Sequence, residues 1–234
     1  DRTNWKYGQT HRNLLVLGVL CGGQFVPLIS HNLGSKRKCG NSNYQDRIDI
    51  VNEFMLAFPG QKIWCIIGDR EFISKEWMDY LKKKKIPFVV RLKEEWTVIN
   101  DKDNYRTVPI KDYILPLIGN KSIISLKVFL GSTKPEEAFI TGFWIQTRDQ
   151  AGNQKKELCI VQHTEGIKNP DREYKKRWKI ESCFKSMKSG GLDIESSHLV
   201  DEKRFDNIIK IVLMCVAWAL SNGKKIQVVM KSNG

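Results

Sequence analysis

Three carboxylates far apart in the sequence, Asp1, Asp69 and Glu181, are of the type that could do metal-assisted chemistry. Asp1 precedes an apolar stretch, and Asp69 closes the apolar run KIWCIIGD. Glu181 stands almost alone among bases in YKKRWKIESCFKSMKSGG, residues 174–191. Carboxylate oxygens are hard ligands, and three of them brought from two strand ends and a helix could hold two Mg2+ or Mn2+ ions. Such a pair activates an attacking oxygen and stabilises a leaving oxygen in phosphodiester chemistry. A basic surround belongs with that chemistry, because substrate phosphates share the metals. Glu181 taken alone is better read as the partner of Arg177 or Lys185 four residues away, worth about 0.2–0.5 kcal/mol. Only beside Asp69 and Asp1 does it become a candidate ligand.

The helix around Glu181 must aim it. At about 100° per residue, Tyr174, Arg177, Glu181 and Lys188 fall within roughly 60° of one another. Ile180, Cys183, Phe184 and Met187 form the neighbouring stripe, which suits core packing. The expected helix over about 172–189 buries one edge and carries a Tyr/Arg/Glu/Lys row along the next.

The other carboxylates need strands. NLLVLGVLCGGQFVPLISH (13–31) reads as two strands around a Gly22-Gly23 turn. Ser42 with Gln45 three residues on is a capping-box pattern opening a helix whose apolar face is Ile48, Val51, Met55 and Phe58. KIWCIIGDREF (62–72) reads as a continuous apolar strand buried on both faces, with Asp69 at its C-terminal end, where α/β sheets place their chemistry. Ser74 is the expected cap of KEWMDYLKKKK, and PFVVRL (87–92) is a further strand. From Trp96 to Val161 short apolar runs alternate with turn signals, which predicts a β-rich insertion. A last helix spans about 202–221. Its run IIKIVLMCVAWAL (208–220) contains Lys210, is too short for a bilayer and reads as a buried core helix. The predicted architecture is α/β, with a core in two parts, residues 1–94 and 166–234, around an insertion over 95–165.

A net charge of +13 points to a polyanionic partner, nucleic acid or an anionic membrane surface. The excess is +7 over residues 1–94, zero over 95–165 and +6 over 166–234, so the middle has a different task. The six cysteines lack CxxC or Cys/His metal spacing. Cys21, Cys65, Cys159 and Cys215 lie in apolar runs, where they are expected to pack as small hydrophobes in a reducing cytosol. Glu71 suits a salt bridge better than a metal. Lys82 to Lys85 read as a solvated helix end, with DNA contact as the alternative. Lys36, Arg37 and Lys38 stand evenly between loop and phosphate contact. The scattered His11, His31, His163 and His198 are assigned to no ligand. Trp96 and Trp144 suit core packing, with base stacking as the alternative. The chain opens on Asp1 rather than Met, so a fragment lacking its natural N-terminal part is expected.

DRTNW, GDREF and the row Tyr-x2-Arg-x3-Glu-x6-Lys together resemble the DDE transposases of bacterial insertion sequences. The resemblance is to the cut-and-paste group carrying that signature, the IS-four family, and runs over nearly the whole chain. It implies an RNase H-like mixed sheet flanked by helices and interrupted by the β-rich insertion. By that resemblance Asp1, Asp69 and Glu181 are the catalytic, metal-binding triad for two Mg2+ or Mn2+ ions. Tyr174, Arg177, Lys185 and Lys188 contact DNA, with Trp178 beside them. It further implies cleavage at terminal inverted repeats through a hairpin intermediate and joining of the 3′ ends to target DNA by a homodimer on paired ends. The setting is the prokaryotic cytoplasm, on the nucleoid and without a membrane. The alternatives are a non-catalytic DNA-binding descendant of such an enzyme and a structure-specific nuclease on the same fold.

Overall fold

The structure, a computed structural model, describes residues 1–7, 10–34, 42–101, 106–132, 134–149, 152–188, 192 and 194–232. The expected phosphate-contact loop of Lys36, Arg37 and Lys38 lies outside the described residues. The chain divides into two compact units, one made of Asp1–Gln61 with Lys176–Gly234 and the other of Lys62–Lys175.

In the first unit β1 (Arg2–Tyr7), β2 (Thr10–Cys21) and β3 (Gln24–Asn32) form an antiparallel meander in the order β1-β2-β3. The β2–β3 turn is Gly22-Gly23, with φ of 56° and 76°. Two successive positive φ values match a tight turn to the twist of its strands, and glycine adopts them without a Cβ clash. Leu14, Val16 and Phe25 of this sheet share a core with Ile180, Phe184, Met187, Phe205 and Ile209.

Helix α1 (Tyr44–Ala57) starts one residue later than the capping-box pattern predicts. Asn43 accepts from the Asp46 amide while the Asp46 carboxylate accepts from the Asn43 amide, both at 2.8 Å. Ser42 is taken by Arg47, whose Nε donates to its hydroxyl at 3.1 Å. The buried face is accordingly Arg47, Ile50 and Val51 rather than Ile48, Val51, Met55 and Phe58.

Two further helices complete this unit, α5 (Trp178–Lys188) and α6 (Glu202–Ser232). Helix α6 is longer than expected. It buries Phe205, Ile209, Val212 and Leu213 but exposes Ile211, Met214 and Trp218, so the apolar run is buried on one face only. By length and composition alone its segment Glu202–Gly223 could cross a membrane, a test that core helices of soluble proteins also pass. Cys21 and Cys215 are exposed, contrary to the expectation that they pack inside.

The second unit holds a seven-stranded mixed sheet in the order β4-β5-β10-β9-β8-β6-β7, flanked by helices. Its strands are β4 (Ile66–Gly68), β5 (Phe88–Arg91), β6 (Thr97–Asp101), β7 (Arg106–Pro109), β8 (Ile123–Leu130), β9 (Glu136–Arg148) and β10 (Gln154–His163). Strands β4 and β5 are parallel, joined through α2 (Lys75–Lys83), and the other pairings are antiparallel. Ser74 caps α2 as predicted, accepting from the Trp77 amide at 3.4 Å.

The predicted strand over 62–72 is only three residues long. Trp64 is exposed, and after Asp69 the chain enters a single 3-10 turn over Arg70–Phe72. Helix α3 (Ile110–Ile118) was hidden in the sequence by Pro109 before it and Pro116 in its last turn. Its Ile110, Ile114 and Ile118 are fully buried. Gly142 of β9 permits the close approach, since a Cβ there would lie 2.8 Å from Ile114 Cγ2. Finally, the single helix expected over 172–189 is broken into α4 (Pro170–Lys175) and α5 at Lys176 and Arg177. Short i→i+3 bonds, Lys179 N to Lys176 O and Ile180 N to Arg177 O, tighten the chain there.

Candidate active site

In the second unit Asp69 follows β4 directly. Its neighbour Gly68 is buried, and a Cβ there would sit 3.2 Å from the Phe72 Cβ, so a larger residue in the tight turn that presents Asp69 would require Phe72 to give by a few tenths of an ångström. The Tyr174 hydroxyl donates to Asp69 Oδ1 at 3.1 Å across 105 residues of sequence. Tyr174 is 3% exposed. Its ring meets Phe143 edge-on at 6.2 Å within a cluster that includes Val89, Ile145, Cys159 and Val161. Packing therefore fixes the tyrosine, and the tyrosine orients the carboxylate.

In the first unit Arg177 joins two carboxylates. Its Nη1 donates to Asp1 Oδ2 at 2.8 Å and its Nη2 to Glu181 Oε1 at 2.6 Å. Asp1 Oδ1 accepts from the Arg2 amide at 2.8 Å, and the Asp1 carbonyl accepts from the Val16 amide, which ties this residue to β2. The side chains are unequally shielded: 11% exposed for Arg177, 16% for Asp1 and 54% for Glu181. The Glu181 contact is thus a surface i,i+4 pair worth a few tenths of a kcal/mol, about 0.2–0.5. The Asp1 contact, largely out of water and charge-assisted, is worth more, about 1.5–3 kcal/mol.

Ile180, Phe184 and Met187 of α5 are buried as the stripe predicted, with Cys183 packed against them. Burial pushes the Cys183 thiol up to about 11. Lys185 is exposed, Lys188 half-buried, and Trp178 presents 42% of its surface to solvent. Asp69 and Tyr174 belong to one unit, while Asp1, Arg177, Trp178, Glu181, Lys185 and Lys188 belong to the other. Among the remaining candidates, Lys82 is held with Lys75 by Glu136, the Lys82 contact at 2.8 Å. Trp96 and Trp144 are half-buried. His31 pairs with Glu53 at 2.6 Å. His163 is buried and bonded to Thr141 at 3.1 Å.

Among the described residues no three His, Cys, Asp or Glu converge as a metal-binding group. The donor chemistry nonetheless fits a hard divalent ion, since Asp1 and Glu181 turn carboxylate oxygens onto one shared positive charge. Arg177 as the common partner of both was not visible in the sequence beyond its i,i+4 spacing to Glu181.

Residues 47–218 match the family model of the transposase DDE domain. The chain belongs to the DDE transposase family. The match takes in Asp69, Tyr174, Arg177 and Glu181, with Asp1 lying ahead of it. No match is found among curated proteins. The mixed α/β architecture, with its seven-stranded sheet flanked by helices, is consistent with the RNase H-like fold of such transposases. As a transposase domain the chain is an enzyme of DNA strand cleavage and transfer. DNA is its partner, and divalent metal ions are typical of the family.

Proposed function

We propose that this transposase domain belongs to the cut-and-paste group of bacterial insertion sequences with the Tyr-x2-Arg-x3-Glu-x6-Lys signature, the IS-four family. It cuts DNA at terminal inverted repeats through a hairpin intermediate and joins the freed 3′ ends to target DNA. It works as a homodimer on paired ends, in the prokaryotic cytoplasm on the nucleoid. One observation carries the reading: Asp1 and Glu181, 180 positions apart in sequence, share Arg177 as partner. Two carboxylates that distant do not come to one cation through helix spacing alone.

In this reading Asp1, Asp69 and Glu181 hold two Mg2+ or Mn2+ ions, which supply activation of the attacking oxygen and stabilisation of the leaving one. Tyr174 keeps Asp69 in a fixed orientation. Arg177, Lys185 and Lys188 face DNA phosphates, whose contacts position the duplex. The exposed indole of Trp178 offers a flat face beside them. By the family resemblance the insertion over 95–165 divides the catalytic core into residues 1–94 and 166–234, whereas the compact units divide elsewhere, with β5 and β10 paired inside Lys62–Lys175.

The test is nicking of DNA that carries the element's inverted repeats, with Mg2+ present and absent. Glu181→Ala is expected to lose on the order of 10³-fold in rate, since a metal contributes several kcal/mol to such a barrier. Undiminished cleavage by that variant would sink the proposal. DNA binding indifferent to metal, with no cleavage under any condition, would instead favour the non-catalytic descendant.

A further inference from the structure

Arg177 is asked to do two things that its guanidinium cannot do at once. Both of its outer nitrogens are engaged by carboxylates, at 2.8 Å to Asp1 and 2.6 Å to Glu181. The same fork is the group that would grip a DNA phosphate, because planar paired donors match carboxylate and phosphate alike. The guanidinium carbon also sits between the two oxygens that a divalent ion bound to both carboxylates would take. A hard cation contacts such oxygens at roughly 2.1 Å, leaving no room for an arginine between them. Two positive centres so close would also repel each other, most strongly on the Asp1 side, where Arg177 and Asp1 are 11% and 16% exposed.

We infer that Arg177 is a stand-in cation. It holds Asp1 and Glu181 together in the metal-free protein, leaves them when the metal arrives, and is thereby released to the phosphate of a DNA end. This inference rests on the metal-dependent function proposed above. The chain is built for the exchange. Glu181 is anchored on α5 beside the buried Ile180 and Phe184, whereas Arg177 lies in the turn between α4 and α5. Packing of α5 keeps the glutamate's backbone in place, so the exchange requires only the arginine side chain to turn out of its 11%-exposed position. The contacts then couple the two ligands. Metal binding makes the arginine available to DNA, DNA draws the arginine off the carboxylates, and each ligand tightens the other by the same factor.

The test is Mn2+ binding to the full chain at low ionic strength without DNA, read by the electron paramagnetic resonance of free Mn2+. Arg177→Met is expected to bind Mn2+ about tenfold tighter than wild type, and Arg177→Lys, which keeps the charge but loses the planar fork, to fall between. The tightening of Mn2+ binding by an inverted-repeat DNA end is expected to shrink in Arg177→Met. Melting curves check folding: without metal the methionine variant melts lower, and Mn2+ raises its Tm more than that of wild type. If Glu181→Gln weakens Mn2+ binding while neither arginine variant binds tighter than wild type, the stand-in role is overturned and the metal site stands. If no variant shows Mn2+ binding that depends on Glu181, the metal site fails and the stand-in role fails with it.

Discussion

Tyr174 commits its hydroxyl to Asp69 and its ring to Phe143, so it links the sheet's core to the carboxylate. Tyr174→Phe keeps the ring and removes only the hydrogen bond. On the role proposed for Asp69 as a metal ligand, the expected outcome is a fall in single-turnover cleavage of roughly tenfold, the usual scale when a group that orients such a ligand is lost. The stability change should be about 1 kcal/mol or less. An unchanged rate would show that Asp69 needs no such support. Several of these residues were legible in the sequence. Asp69 stood out because an acid at the end of an apolar run has few structural uses, and Glu181 because it was alone among bases. The link from Arg177 to Asp1 was not legible, because nothing local connects residues 176 positions apart. The Tyr174 contact was hidden for a similar reason. A helix wheel placed it beside Glu181, but the break at Lys176 and Arg177 gives it to another unit and another carboxylate.

At the scale of elements, the β2–β3 hairpin was readable because paired glycines specify a turn by sterics alone. The Ser74 cap was readable because a hydroxyl before a helix has a definite backbone partner. The strand over 62–72 was overextended, since an apolar run does not say where sheet pairing stops. Helix α3 was missed because proline counts against a helix in any local reading, while the three buried isoleucines on one side of α3 outweigh it here. That helix lies tight against β9 at Gly142. Gly142→Ala would force Ile114 to move in a packed core, with an expected cost of about 1–3 kcal/mol. Urea denaturation should show a lower midpoint with an unchanged slope, and an unchanged midpoint would mean that the contact yields freely.

For the molecule as a whole, two groups set separate pH limits. Burial pushes the His163 imidazole below its ordinary 6.5, against the smaller opposing effect of its bond to the Thr164 carbonyl. The unfolded chain therefore takes up this proton first. The stability contribution is complete above 6.5 and is lost as pH falls from there through the depressed folded value. Glu136 is held down to about 2 by Lys75 first and Lys82 second. Its contribution is complete above about 4.5 and is lost as pH falls through about 2. With side chains 41% or more exposed in this trio, solvent screening keeps that second effect small. Melting temperature is thus expected to drop as pH falls below about 6.5, and His163→Gln to remove part of that drop. An equal drop in both proteins would assign it elsewhere. The division of the chain also has a consequence in time. The unit built on β1–β3 is discontinuous, and its core needs Ile180, Phe184 and Phe205, which the ribosome delivers only after residues 62–175. At about 5–20 residues per second, those intervening residues take roughly 6–23 s to make. Throughout that delay Leu14, Val16 and Phe25 lack the helices that cover them, and Asp1 waits for its arginine. The contact between Asp1 and Arg177 is consequently among the last in the protein to form, and a chain interrupted before Arg177 never makes it.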